Sequence, residues 1–176
     1  MRRFYISPEE FQKERPEITG ADAHHICSVL RLMPGTKVGL FDGENTARRA
    51  IITEISEKSV KFQLLSEELA STESFLRLTI AQALLKGQKL DDLIRPLTEL
   101  GVTKIIPFIA QRSVAVPGED RYPKRLARWE KIAIEALKQC GRQKASEIHP
   151  PTSFEKILQL SEKTDLKIIF WEEETL

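Results

Sequence analysis

The pair Arg112-Ser113 follows directly on the nearly unbroken apolar run from Val102 to Ala110. Ligands of open α/β sheets gather beyond the carboxyl ends of the strands, so a guanidinium at this point is placed to meet an anion or a polar base edge. Glu135, Gln139 and Arg142 recur further along at helical spacing and supply a carboxylate, an amide and a second guanidinium. With Arg112 they are candidates for one polar crevice. The residues alone leave a plainer alternative open and favour it by about two to one, an Arg112–Glu135 ion pair that only ties loop to helix.

Other chemistry is sparse. Lys86-Gly87-Gln88-Lys89 is a basic strand-to-helix turn whose amides and Lys86 could hold a phosphate. There is no GxxxxGK[ST] and no GxGxxG after a strand, which excludes a P-loop or a Rossmann cofactor site. His24, His25 and His149 combine with neither cysteine at a zinc spacing, so no metal site is expected. The adjacent His24 and His25 must point in different directions, and packing at the edge of the N-terminal domain is the expected fate of one. Cys27 and Cys140 lie outside any CxxC setting and read as reduced thiols of a cytoplasmic protein. No apolar run approaches the ~18 residues of a membrane span.

These groups need elements to hold them. Residues 77 to 145 carry 14 basic and seven acidic side chains, a net of +7 inside a chain of net +1. A polyanion is the natural partner of such a segment, although lysines that merely solvate a face give the same count. Lys124, Arg128, Lys131, Glu135, Lys138 and Arg142 repeat along one side of a helix expected over 122–140, opposite an inner stripe of Leu126, Trp129, Ala133, Ala136, Leu137 and Cys140.

The remaining pattern divides in two. Strands near 2–6, 38–41, 50–55 and 60–64, a helix over 21–32 and an Asp42-Gly43 turn give a small β-barrel-like domain, residues 1–70. The polar stretch 66–76 reads as a linker. Strand 77–84, helix 89–100 interrupted by Pro96, strand 102–109, helices 122–140 and 153–162 and strand 166–171 alternate as in a mainly parallel α/β domain, residues 71–176.

Read together, Met1-Arg2-Arg3-Phe4-Tyr5, His24-His25 with Val29-Leu30-Arg31, Leu40-Phe41-Asp42-Gly43, Lys86-Gly87 with Asp91, Thr98-Glu99-Leu100-Gly101-Val102, Arg112-Ser113-Val114, and Glu135-Ala136 with Gln139 and Arg142 stand in one order along the chain. That ordered set resembles the bacterial RsmE-type 16S rRNA uridine-N3 methyltransferases of the SPOUT (α/β-knot) superfamily. The resemblance implies a PUA-like RNA-binding barrel followed by a SPOUT domain, a homodimer, S-adenosylmethionine as methyl donor, and the small ribosomal subunit as partner. It also implies that Arg2, Arg3, His25 and Arg31 face RNA, and that Arg112, Glu135, Gln139 and Arg142 lie near the target base. Lys86, Arg128 and Lys131 join the RNA-facing set on charge.

Two departures stand out. Arg95-Pro96 occupies a position where the family usually has Gln-Lys, and the glycine-rich knot segments expected to hold S-adenosylmethionine would lie beyond Leu176. The expectation is therefore a truncated SPOUT domain, inactive and unable to bind the donor as it stands. The rival reading is an RNA-binding module without catalysis.

Overall fold

A computed structural model describes residues 1–71, 73–113 and 118–170; Val114 and the residues from Trp171 onward lie outside them. The first half is a five-stranded sheet of order β1-β3-β4-β5-β2, with β1 Arg3–Tyr5, β2 Glu17–Thr19, β3 Lys37–Phe41, β4 Ala47–Ile55 and β5 Ser59–Glu68. Side chains alternate along β5: Val60 and Phe62 are fully buried, and they stand opposite Ile55 and Ile52 of β4. A sheet with one wet face requires that period-two pattern. No ladder joins β1 to β2 among the described residues, so the sheet is an open half-barrel.

A short helix α1 (Pro8–Phe11) is capped by Ser7 and anchors Phe11 in the core. The helix α2 (Gly20–His24) continues as a widened π turn, His25–Val29, and closes the half-barrel with Ala23 and Ile26 at 0% exposure. Val38, Leu40, Ala50, Ile52, Val60 and Phe62 complete this core. Each large side chain among them contributes about 1.5–3 kcal/mol by leaving water.

The second half has the expected alternation. Strands β6 (Thr79–Ala83) and β7 (Lys104–Ile109) are parallel, with Ile80 beside Ile105, and α3 (Lys89–Glu99) makes the crossover between them. The long α4 (Tyr122–Cys140) follows and ends on Gly141, whose φ of +77 caps it in the left-handed region. Ile94, Val102, Ile105, Trp129 and Ala133 form the core between the helices and the sheet. Asp91 braces α3 to α4, accepting from Trp129 Nε1 at 2.7 Å and pairing with Arg128 at 2.7 Å.

Three expectations change. The other side of β7 is filled by two short strands, β8 (Glu147–Ile148) and β9 (Thr152–Ser153), separated by Pro150-Pro151. β7's own Pro107 falls at the gap between them, where the ladder is already broken. Leu166–Phe170, expected as strand, is not one: β8 and β9 take the edge of β7, and Leu166, Ile168, Ile169 and Phe170 remain exposed beyond α5 (Phe154–Ser161). Cys140, expected on the inner stripe of α4, is exposed, because the buried stripe ends at Leu137.

The halves pack on each other. Phe41, Ala47 and Leu137 are buried between them, flanked by Tyr5, Leu69, Ile134 and Ala145.

Candidate functional site

The parallel strands end together. Leu84 N–H donates to Phe108 O at 2.8 Å, so the turn after β6 and the loop after β7 leave from one edge of the sheet. Lys86 is exposed in the first, beside Gly87 with φ +69. In the second, Ser113 Oγ accepts from Ala110 N at 3.0 Å while Ser113 N–H donates to Ala110 O at 2.9 Å; this closed turn leaves Arg112 exposed. The first turns of α4 come back over the same edge, and the Arg128–Asp91 pair fixes them to the start of α3. Lys124, Arg128 and Lys131 are exposed there. Lys86, Arg112, Lys124, Arg128 and Lys131 therefore form a cationic rim at the carboxyl edge.

Glu135, Gln139 and Arg142 do not join that rim within one chain. A helix crossing back between parallel strands runs antiparallel to them, and α4 carries these residues to the amino edge, where Arg142 donates to Thr98 O and Ser146 Oγ donates to Val102 O at 2.6 Å. The crevice expected to unite them with Arg112 is thus divided by the length of α4. Nor does an Arg112–Glu135 pair form. Glu135 binds Lys138 at 2.8 Å, and Lys138 in turn binds Asp22 of the half-barrel at 2.9 Å. Gln139 is exposed.

Arg142 serves the linker. Its Nε donates to Glu73 Oε2 at 3.1 Å and its Nη2 pairs with the same oxygen, while Glu73 Oε1 accepts from the backbone of Gln143 at 2.8 Å and Lys144 at 3.1 Å. Burial raises the Glu73 pKa, but the Arg142 hydrogen bond and the two amides outweigh it and hold the carboxyl below its ordinary value. Lys138 shows the converse balance: burial lowers its pKa, and Glu135 and Asp22 together hold it above the ordinary lysine value. The cationic row on α4 therefore splits: Lys124 and Lys131 face water, Arg128 pairs with Asp91 at the surface, and Lys138 and Arg142 are engaged with Asp22 and Glu73.

On the half-barrel, Arg2, His24, His25 and Arg31 are exposed. His24 and His25 thus both reach solvent, where edge packing of one was expected. Arg2 Nη1 reaches Leu30 O at 3.4 Å, and Arg31 holds φ +51, a left-handed backbone that is uncommon for a residue with a side chain. Arg3 differs from the other three arginine and histidine candidates. Its Nη1 donates to Gly141 O at 2.6 Å and its guanidinium lies 5.4 Å from the centre of the Phe41 ring, so it faces the second half of the chain. No motif marks Asp22 or Glu73, and Glu73 is one of three glutamates in the polar stretch 66–76.

The sequence matches two family models, the RNA methyltransferase PUA domain over residues 18–65 and the RNA methyltransferase domain over residues 72–176. Ribosomal RNA small subunit methyltransferase E of Bacillus subtilis is 31% identical, over 98% of this chain and 69% of its own length. Among solved structures, the Neisseria gonorrhoeae ribosomal RNA small subunit methyltransferase E bound to S-adenosylmethionine is 30% identical with a TM-score of 0.76, covering 93% of this chain and 66% of that one. A Legionella pneumophila methyltransferase in complex with the same cofactor is 29% identical with a TM-score of 0.78, covering 94% of this chain and 68% of that one. The chain thus spans roughly two thirds of each relative. With both halves matched in order and the half-barrel and parallel sheet in place, the chain belongs to the ribosomal RNA small subunit methyltransferase E family of RNA methyltransferases.

Proposed function

We propose that this protein acts in the cytoplasm, as a homodimer, to methylate N3 of a uridine in the 16S RNA of the small ribosomal subunit, with S-adenosylmethionine as donor. The observation that carries the reading is the ordered match of both halves to an RNA methyltransferase and its PUA domain. The surface agrees with it: Arg2 and Arg31 with His25 beside them on the half-barrel, and Lys86, Arg112, Arg128 and Lys131 at the carboxyl edge, are exposed at two separate places on one body. The first group would hold RNA by its phosphates and the second would receive the nucleotide to be modified.

Uridine N3 must lose a weakly acidic proton before it can accept a methyl group, and the anion that forms is stabilised by fixed positive charge in a site shielded from water. Arg112 and Lys86 are the groups suited to that task at the carboxyl edge. A base inside folded RNA must also be turned out of its stack to reach them. S-adenosylmethionine supplies the methyl group when bound. Two clefts among the described residues lie away from this edge: one among Glu73, Arg77, Thr103 and Arg142 at the amino end of the sheet, the other among Phe11, Lys13 and Arg48 on the half-barrel. No transfer step is therefore assigned to a residue of this chain.

The test is transfer of labelled methyl from S-adenosylmethionine to small subunits that lack the modification, catalysed by the product of the whole reading frame. One methyl group at a uridine N3 of 16S RNA is the expected result. RNA binding without transfer would support a non-catalytic module, and label at any other atom or nucleotide of the 16S RNA would reject the substrate.

A further inference from the structure

We propose that Leu40-Phe41-Asp42-Gly43 and the stretch from Glu135 to Ala145 are the two halves of one rigid joint, which fixes the half-barrel against the methyltransferase half, and that Glu135, Lys138 and Arg142 are positioning residues of this joint. Its consequence for catalysis rests on the proposed function; its geometry does not.

Backbone pairing carries the joint. Ala145 N–H donates to Gly43 O at 2.9 Å and Asn45 N–H donates to Gln143 O at 3.2 Å, so the β3–β4 turn and the segment after α4 bond to each other across the two halves. Asp42, only 7% exposed, shapes that turn by accepting from Glu44 N at 2.8 Å and Thr46 N at 3.0 Å. Gly43 has φ +80, and a Cβ there would stand 3.1 Å from Ile134 Cδ1 and 3.3 Å from Tyr5 Cε2. Only glycine meets both the conformation and the closeness.

Side chains close the joint on every side. Phe41 and Leu137 fill its centre at 1% and 0% exposure. Around them Lys138 bridges Asp22 to Glu135 and stands 5.9 Å from the centre of the Tyr5 ring, Arg3 bonds Gly141 O, Gln143 Nε2 donates to Ala70 O at 2.7 Å, and Arg142 binds Glu73. Mobile domain pairs usually meet through small polar interfaces; here backbone bonds, an apolar centre and ion pairs coincide.

A rigid joint fixes the separation between the exposed side chains of Arg2, His25 and Arg31 and those of Lys86 and Arg112. RNA held by the first set then offers the second only nucleotides at one reach from the anchor. The joint is thus a determinant of which nucleotide is modified, without touching that nucleotide.

The experiment places spin labels at Lys58 and Glu130, both exposed, in a Cys27→Ser, Cys140→Ser background, and measures their distance by double electron–electron resonance. With labelled chain diluted in an excess of unlabelled chain, so that a dimer carries one labelled protomer, the parent gives one narrow distribution and the Lys138→Met, Arg142→Met double variant a broad one. In the whole-reading-frame enzyme the same pair raises KM for small subunits by about fivefold with kcat held within about twofold, the split expected of lost uniform binding. Lys138→Arg restores the parent values. Asp22→Asn, a change on the half-barrel surface that leaves the core intact, shifts KM the same way by about twofold.

A broad distance distribution in the parent would overturn the joint, and a narrow, unchanged one in the double variant would overturn the positioning role of Lys138 and Arg142. So would a kcat loss above about tenfold at constant KM, since that places Arg142 at the reacting base. A parent enzyme that transfers no methyl to small subunits refutes the proposed function instead, and the distance measurement then decides the joint by itself.

Discussion

Glu73→Gln isolates the contact between linker and α4. Glu73 and Arg142 side chains are each 14% exposed, and the carboxylate accepts from Arg142 and from the amides of Gln143 and Lys144. Glutamine keeps the shape but removes the charge and has one acceptor oxygen in place of two, so the bonds from the Gln143 and Lys144 amides, worth about 1.5–3 kcal/mol each to a carboxylate, become at best neutral ones worth about 0.5–1.5 kcal/mol, and Arg142 loses its counter-charge. The net loss at neutral pH is about 2–3 kcal/mol, which in a protein of this size lowers Tm by about 4–12 °C.

The pH dependence has a definite sign. The folded Glu73 pKa is depressed, so its contribution is complete above the unfolded carboxyl value and is lost as pH falls through the folded one. Urea unfolding of parent and variant across a pH series reads this directly: the gap is present at neutral pH and closes as pH falls through the folded carboxyl value. A gap that persists unchanged in acid, or a variant as stable as the parent at pH 7, would refute the role given to the carboxylate.

Trp129→Phe leaves Asp91 Oδ1 without its 2.7 Å donor and is expected to cost about 1–2 kcal/mol in denaturant unfolding. Ile94→Ala, at a fully buried position between α3 and α4, costs about 2–5 kcal/mol by the same measurement. Arg112→Ala and Lys131→Ala each weaken RNA binding and reduce the slope of log affinity against log salt by about 0.7–0.9, measured by fluorescence anisotropy with a 16S RNA fragment. Arg3→Ala leaves that slope unchanged, because its guanidinium faces Gly141 and Phe41 rather than solvent.

Much of this architecture is legible in the residues. Ala50–Ile55 and Val60–Leu64 alternate with period two, and the stripe from Leu126 to Leu137 runs toward a glycine cap at Gly141, so the half-barrel strands and α4 follow from local pattern. β8 and β9 do not: each is two residues long, beside a Pro-Pro pair, and they are strands only because β7 offers them an edge. Leu166–Phe170 has the composition of a strand but pairs with nothing described, which shows pairing rather than propensity deciding.

The site divides in the same way. Arg112 is placed by a topological rule that needs only the strand before it. The fate of Glu135 and Arg142 depends on the direction of α4 and on Asp22 and Glu73, which are far away in sequence. Strand-helix order implies that direction, and it separates the two ends of the expected crevice. The acidic partners have no local signature at all. Residues that share a motif can therefore be neighbours in sequence and still serve the packing of two halves.

The proposed reaction places a methyl group on N3 of one uridine of the small-subunit RNA. Mass-spectrometric mapping of 16S RNA from cells with and without the gene tests it most directly. Loss of a single N3-methyluridine on deletion, restored by the intact gene, is the predicted result; an unchanged N3-methyluridine content, or loss of a different modification, would contradict it.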